Sequence, residues 1–130
     1  MHGETNIDLL LKNMTPELNV GDYVFCTVKH QKYLKNKDII GFFKEKEGYT
    51  VILPKSVADT LGLEYTYIMA WITLTVHSAL DAVGLTAAFS NALAAANISC
   101  NVVAGFYHDH IFVGKEDAEK AMNVLIELGY

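Results

Sequence analysis

From Glu64 to Val76 the chain alternates, with Ile68, Ala70, Ile72, Leu74 and Val76 on one side and Tyr67, Met69, Trp71, Thr73 and Thr75 on the other. A period of two over so long a run predicts a strand with one apolar and one mixed face. The period then changes. Leu85, Ala88, Phe89, Ala92, Leu93 and Ala96 fall on one stripe of an alanine-rich helix that Asn97 ends. Ile98 to Phe106 alternates again, Tyr107 to Asp109 reads as a turn, and His110 to Val113 returns as a strand. Ala118, Ala121, Met122, Leu125 and Leu128 mark a last helix, and Glu116 and Asp117 suit its positive N-terminal end. The order β-α-β-β-α from residue 64 is neither doubly wound nor a meander. It predicts an α+β fold of the ferredoxin-like kind: an antiparallel sheet with helices on one face, the other left for a partner.

The first half has a related order. Apolar residues at 7, 10, 11 and 14 have helical spacing, and Pro16 and Gly21 then break the chain. Tyr23 to Lys29 reads as a strand, and His30 to Asp38 as a polar loop. Ile39 to Lys44 and Tyr49 to Leu53 form a hairpin around Glu45-Lys46-Glu47-Gly48. Ser56 can cap a short helix over Val57 to Leu61, with Gly62 ending it. The chain is therefore read as two halves, 1–63 and 64–130, similar in element order and without a residue-level repeat.

Composition excludes more than it assigns. Of 130 residues 52% are hydrophobic and 19% charged, enough to build a core without disulfides or metal. The net charge of −5 argues against a nucleic-acid surface, and Lys29, His30, Lys32, Lys35 and Lys37 read as a solvated loop. Cys26 and Cys100 lie in apolar segments without CxxC or zinc spacing, as buried free thiols do. The N-terminus has no signal pattern and Tyr67 to Val76 is too short to span a bilayer, so a cytoplasmic protein without a membrane partner is expected.

At Asp81-Ala82-Val83-Gly84-Leu85-Thr86 the chain resembles the ACT domains, small regulatory modules of amino-acid metabolism, which open their first helix with an Asp-x-Pro-Gly-Leu-type loop. Val83 stands where Pro is usual. Thr73 to Ser99, the hairpin Asn101 to Val113 and the helix from Glu116 continue the likeness. The whole chain also resembles bacterial tandem ACT-like proteins through Gly21 to Cys26, Ile72 to Ser78, Val83 to Phe89 and Tyr107 to Val113, and more distantly the cellular arginine sensor. The resemblance implies a fold and a regulatory, non-catalytic task without a cofactor: binding an amino acid or similar small carboxylate.

Ser78, Asp81, Ala82, Val83, Gly84, Leu85, Asn101 and Val102 are the candidate ligand-binding residues. A loop entering a helix offers unpaired N–H groups and partial positive charge to a carboxylate. Gly84 permits close approach. Asp81 can hold an α-amino group or simply cap the helix, and its residue type fits both. Asn101 can face a ligand or be an ordinary exposed strand residue.

His108-Asp109-His110 offers two imidazoles at strand spacing, with His77 as a third, and so a competing reading as a small metal-dependent enzyme. The turn expected at Tyr107 to Asp109 works against that geometry, and no metal is assigned. Ser78 beside His77 is a neighbour pair without an aligned base, and no catalytic residue is assigned. Tyr67, Met69 and Trp71 form a stripe that must meet either a second core layer against the N-terminal half or, on the sharper reading, another copy across a homodimer interface. A ligand-free interaction module using this surface is a third reading.

Overall fold

The computed structural model describes residues 7–75 and 84–129. Its elements are α1 (Ile7–Lys12), β1 (Thr15–Leu18), β2 (Tyr23–Val28), β3 (Gly41–Lys44), β4 (Tyr49–Pro54), α2 (Lys55–Leu61), β5 (Met69–Thr75), α3 (Leu85–Ala95), β6 (Cys100–Ala104), β7 (Asp109–Gly114) and α4 (Ala118–Leu128). Short 3-10 turns lie at Gln31–Lys35 and Lys115–Asp117. The chain forms two compact units, one of Met1–Asn19 with Ala70–Tyr130 and one of Val20–Met69.

In the first unit the strand order is β1-β5-β7-β6, so β7 lies between the two strands that α3 connects, the split β-α-β arrangement. The edge position beside β5 is filled from the start of the chain. β1 pairs antiparallel with β5, Leu18 opposite Ile72 and Thr15 opposite Thr75. Pro16 lies opposite Leu74 within β1. A proline is tolerated there because an edge strand pairs on one side only.

One face of this sheet carries the core. Ala70, Ile72 and Leu74 of β5 and Ile111 and Val113 of β7 pack with Leu85, Phe89 and Leu93 of α3, Ala118, Ala121 and Leu125 of α4, and Leu10 and Leu11 of α1. Of the apolar stripes expected in the two long helices, Leu85, Phe89 and Leu93 and then Ala118, Ala121 and Leu125 are buried, and Ala88, Ala92, Ala96, Met122 and Leu128 are half-buried. At the C-terminus of α3, Asn97 takes the left-handed conformation at φ 62°. Ile98 N–H then donates to Leu93 O at 2.9 Å and Asn97 N–H to Ala94 O at 2.9 Å, a Schellman closure.

The second unit repeats the split order with β3-β4-β2, and Met69 continues beside Tyr23 of β2. Its core is Val24, Cys26 and Val28 of β2, Val51 and Leu53 of β4 and Ala58 of α2. The expected β3–β4 hairpin forms, closed by Glu45 N–H to Gly48 O at 2.8 Å.

Three local expectations need correction. Ser56 does not cap α2: the helix begins at Lys55 with Pro54 as its cap, and Lys55 N–H bonds instead to Asp22 O at 2.8 Å. β1 is a strand where the sequence showed only a break. The long alternating strand begins at Met69, not Glu64, because the chain before it is tied to α2. There Leu63 N–H bonds Ala58 O at 2.9 Å and the Tyr65 hydroxyl donates to Asp59 Oδ1 at 2.7 Å.

Candidate functional site

The candidate loop joins β5 to α3. Gly84 and Leu85 are described, whereas Ser78, Asp81, Ala82 and Val83, with His77, lie outside the described residues. Gly84 is the N-cap of α3 at φ +96°, ψ −9°, and as a glycine it has no side chain of its own to cap the helix. Helix geometry leaves the first-turn N–H groups without intrahelical acceptors, and they point out of this end. Ala88 N–H is the donor to Gly84 O, at 2.8 Å. Leu85 is 5% exposed and its side chain belongs to the core, so only its backbone can face a ligand.

Asn101 and Val102 point to opposite faces of β6. Val102 lies opposite Ile111 and so shares the face that α3 and α4 cover. Asn101 lies opposite Phe112, on the second face. Both are exposed, because β6 ends the strand order of this unit.

The second face of the first unit holds an arrangement the sequence did not announce. Trp71 Nε1 donates to His110 Nδ1 at 3.1 Å, and Thr73 Oγ1 lies 3.1 Å from the same nitrogen. Asn19 Nδ2 donates to Thr73 Oγ1 at 3.0 Å and to Trp71 O at 3.2 Å. The indole N–H can only donate, so His110 Nδ1 accepts, and a neutral ring carries its proton on Nε2. Beneath this network Trp71 stacks on Phe112, centroids 6.1 Å apart at 18°. Trp71 is half-buried and Met69 buried, whereas Tyr67 lies outside the strand and is 73% exposed, so the expected three-residue stripe does not form.

His108 and His110 flank Asp109 with ring centroids 6.4 Å apart at 82°. His108 Nδ1 is buried and has no hydrogen-bond partner. Burial first, and then the neighbouring His108, hold His110 below the usual imidazole range, with Asp109 opposing. Among the described residues no three His, Cys, Asp or Glu side chains gather as a metal cage.

In the second unit a cleft of about 360 Å³ is lined by Gly21, Asp22, Tyr23, Lys55, Ser56 and Asp59, with Val20 and Pro54. Its charges are already engaged: Lys55 Nζ and Asp59 Oδ2 pair at 2.9 Å. The Tyr65 hydrogen bond and then Lys55 hold the Asp59 carboxyl below its usual value. Burial pushes both Cys26 and Cys100 thiols up, away from reactivity. Cys26 is buried as expected; Cys100 is half-buried.

Comparison with known proteins follows this geometry. An ACT-domain family model matches residues 2–70 and a second ACT-domain model matches residues 68–127. A Vibrio cholerae protein of unknown function, described as a possible transport protein, is 51% identical with a TM-score of 0.88, covering 95% of this chain and 96% of that one. The regulatory subunit of aspartate kinase from Thermus thermophilus, in a ligand-free form, superposes at a TM-score of 0.61 with 9% identity, over 89% of this chain and 98% of that one. Clostridium acetobutylicum aspartate kinase, described as an allosteric enzyme, gives 0.63 with 11% identity over 90% of this chain. This chain spans 34% of that kinase. At these identities the two kinase structures share the fold. No protein among the curated sequences compared matches. Among the described residues no helix is long and apolar enough to cross a membrane.

Proposed function

This chain belongs to the ACT-domain family, and on that premise we propose that it is a regulatory protein without catalysis of its own, binding an amino acid or similar small carboxylate where α3 begins. The observation that carries the reading is Gly84. A glycine N-cap at φ +96° brings no side chain of its own to the first turn of this 11-residue helix, whose N–H groups suit an acceptor from outside the helix. A carboxylate suits that end in both charge and hydrogen bonding. Asp81 would hold the ammonium group, with Ser78, Ala82, Val83 and the Leu85 backbone around it. Val102 would contribute from the helix-covered face of β6, and Asn101 across the strand edge.

The ligand would act by binding one arrangement of the protein better than another, shifting its population. The kinase neighbours, one named a regulatory subunit and one an allosteric enzyme, support that kind of task. β6 is Cys-Asn-Val-Val-Ala, an edge without charge or proline, with Val102 and Val103 exposed. Such an edge favours pairing, which supports a homodimer along it. A cytoplasmic setting accords with this reading.

Equilibrium binding of amino acids to the whole protein tests the site. Saturable binding that Asp81→Ala removes is expected, and binding unchanged in Asp81→Ala and Gly84→Ala would refute the assignment. A ligand-free interaction module is the second reading, favoured by Phe106 and Tyr107, which are 87% and 80% exposed at the β6–β7 turn. The matching β3–β4 turn carries Glu45, Lys46 and Glu47 instead, so the fold itself does not require aromatics at such a tip.

A further inference from the structure

We propose that His110 is a proton-operated latch between β5 and the β6–β7 hairpin: its neutral ring accepts the Trp71 indole N–H and closes the latch, and protonation at Nδ1 opens it. The inference does not depend on the identity of any ligand. Two donors converge on one nitrogen, Trp71 Nε1 at 3.1 Å and the Thr73 hydroxyl at 3.1 Å. The Asn19 amide donates to Thr73 Oγ1 and takes one of its lone pairs, so the hydroxyl can give its hydrogen to the neutral ring. When Nδ1 takes a proton it becomes a donor: Thr73 Oγ1 can turn to accept from it, whereas the indole N–H cannot and is left donor against donor, so the Trp71 bond is the one that breaks.

The hairpin tip is built against the same ring. A Cβ on Gly105 would lie 2.7 Å from His108 O and 3.3 Å from His110 Nε2, so glycine is what lets the turn close over the imidazole. Gly105 N–H bonds His108 O at 2.9 Å within that turn. From the latch outward the rings run from His110 to His108, then to Tyr107 and Phe106, at centroid separations of 6.4, 6.4 and 5.0 Å. A change at His110 therefore has a route to the two exposed aromatics. His108 Nδ1 is buried beside His110 without a hydrogen-bond partner among the described residues.

Among the described residues the charges facing His110 are few. On β7 they are His108, which opposes protonation, and Asp109, which favours it. β6 sets Val103 opposite His110, and β5 sets Trp71 and Thr73 beside it. Glu17 of β1, opposite Thr73, lies one strand further across. Burial and His108 act together to hold the ring neutral until the pH falls below the ordinary imidazole value of about 6.5.

Trp71 is the single tryptophan of the chain, so its fluorescence reads the latch directly. The experiment titrates the whole protein from pH 8 to 5, following tryptophan emission and far-UV circular dichroism together. The expected result is one emission transition with a midpoint below 6.5 and unchanged dichroism. His110→Asn, whose amide oxygen can accept the indole N–H but does not titrate there, should abolish the transition; His108→Gln should move it to higher pH. A flat wild-type titration, a transition that persists in His110→Asn, or a simultaneous loss of dichroism would overturn the proposal. Should His110→Asn fail to fold, ¹⁵N shifts of wild-type His110 at pH 8 decide: a proton on Nε2 supports the latch and one on Nδ1 overturns it.

Discussion

Ile98 N–H reaches back to the carbonyl of Leu93 at 2.9 Å, and both side chains are buried in the same core. The contact exists because Asn97 between them adopts φ 62°. This one residue ends α3 and aims the chain into β6. Asn97→Ala should lower stability by about 1 kcal/mol, because a Cβ without a compensating side-chain bond disfavours that conformation. Asn97→Gly should leave it unchanged or slightly raised. Urea midpoints of the three proteins, at equal slope, test this.

Gly84 supports the same helix at its other end. Gly84→Ala at φ +96° should lower stability by about 1–2 kcal/mol through backbone strain alone. It should also weaken ligand binding, since the added methyl stands where a carboxylate must approach. Denaturation and binding measured on the same preparation separate the two effects.

Two phenylalanines set the contrast between core and surface. Phe89 is fully buried between α3 and the sheet, and Phe89→Ala should cost about 3–5 kcal/mol. Phe106 is 87% exposed, and Phe106→Ala should change stability by no more than about 0.5 kcal/mol. A large destabilisation from Phe106→Ala would mean that the hairpin tip is structural and not a free surface.

Acid should weaken the fold through His110. Its folded-state pKa lies below the ordinary value, so the unfolded chain takes up a proton first as the pH falls. The stability contributed by the neutral ring is complete above the unfolded value of about 6.5, declines as pH falls through it, and levels off below the folded value. Urea midpoints between pH 8 and 5 should show that decline, and His110→Asn should reduce it.

The proposed dimer has its own test. Light scattering should give twice the 14.4 kDa chain mass, and Val103→Lys, which puts a charge on the exposed edge strand, should give a folded monomer. A wild-type monomer at working concentration would remove the β6 edge from the account.

The sequence made some elements plain and hid others for physical reasons. Period switches exposed β5, α3, β7 and α4, because each buries one face against a common core and burial fixes the period. β1 was hidden: four residues including Pro16 carry no alternation, and pairing with β5 defines the strand. Glu64 to Ile68 looked like strand because its apolar residues continue the alternation, yet Leu63 and Tyr65 are held by α2. At the candidate site Gly84 was legible as a helix-entry glycine. The Trp71–His110 bond was not, because the two residues lie 39 positions apart and meet only when β5 and β7 become neighbours. The split order expected for this fold, with Trp71 and His110 both on the less apolar sides of their strands, was the signal that could have found it.

The most direct measurement is a thermal-shift screen of the pure protein against free amino acids and related small carboxylates. A ligand bound only by the folded state adds about 2.7 kcal/mol of stability at a hundredfold excess over its Kd. The account predicts a selective rise in melting temperature that Asp81→Ala abolishes. No rise with any of these compounds would contradict it.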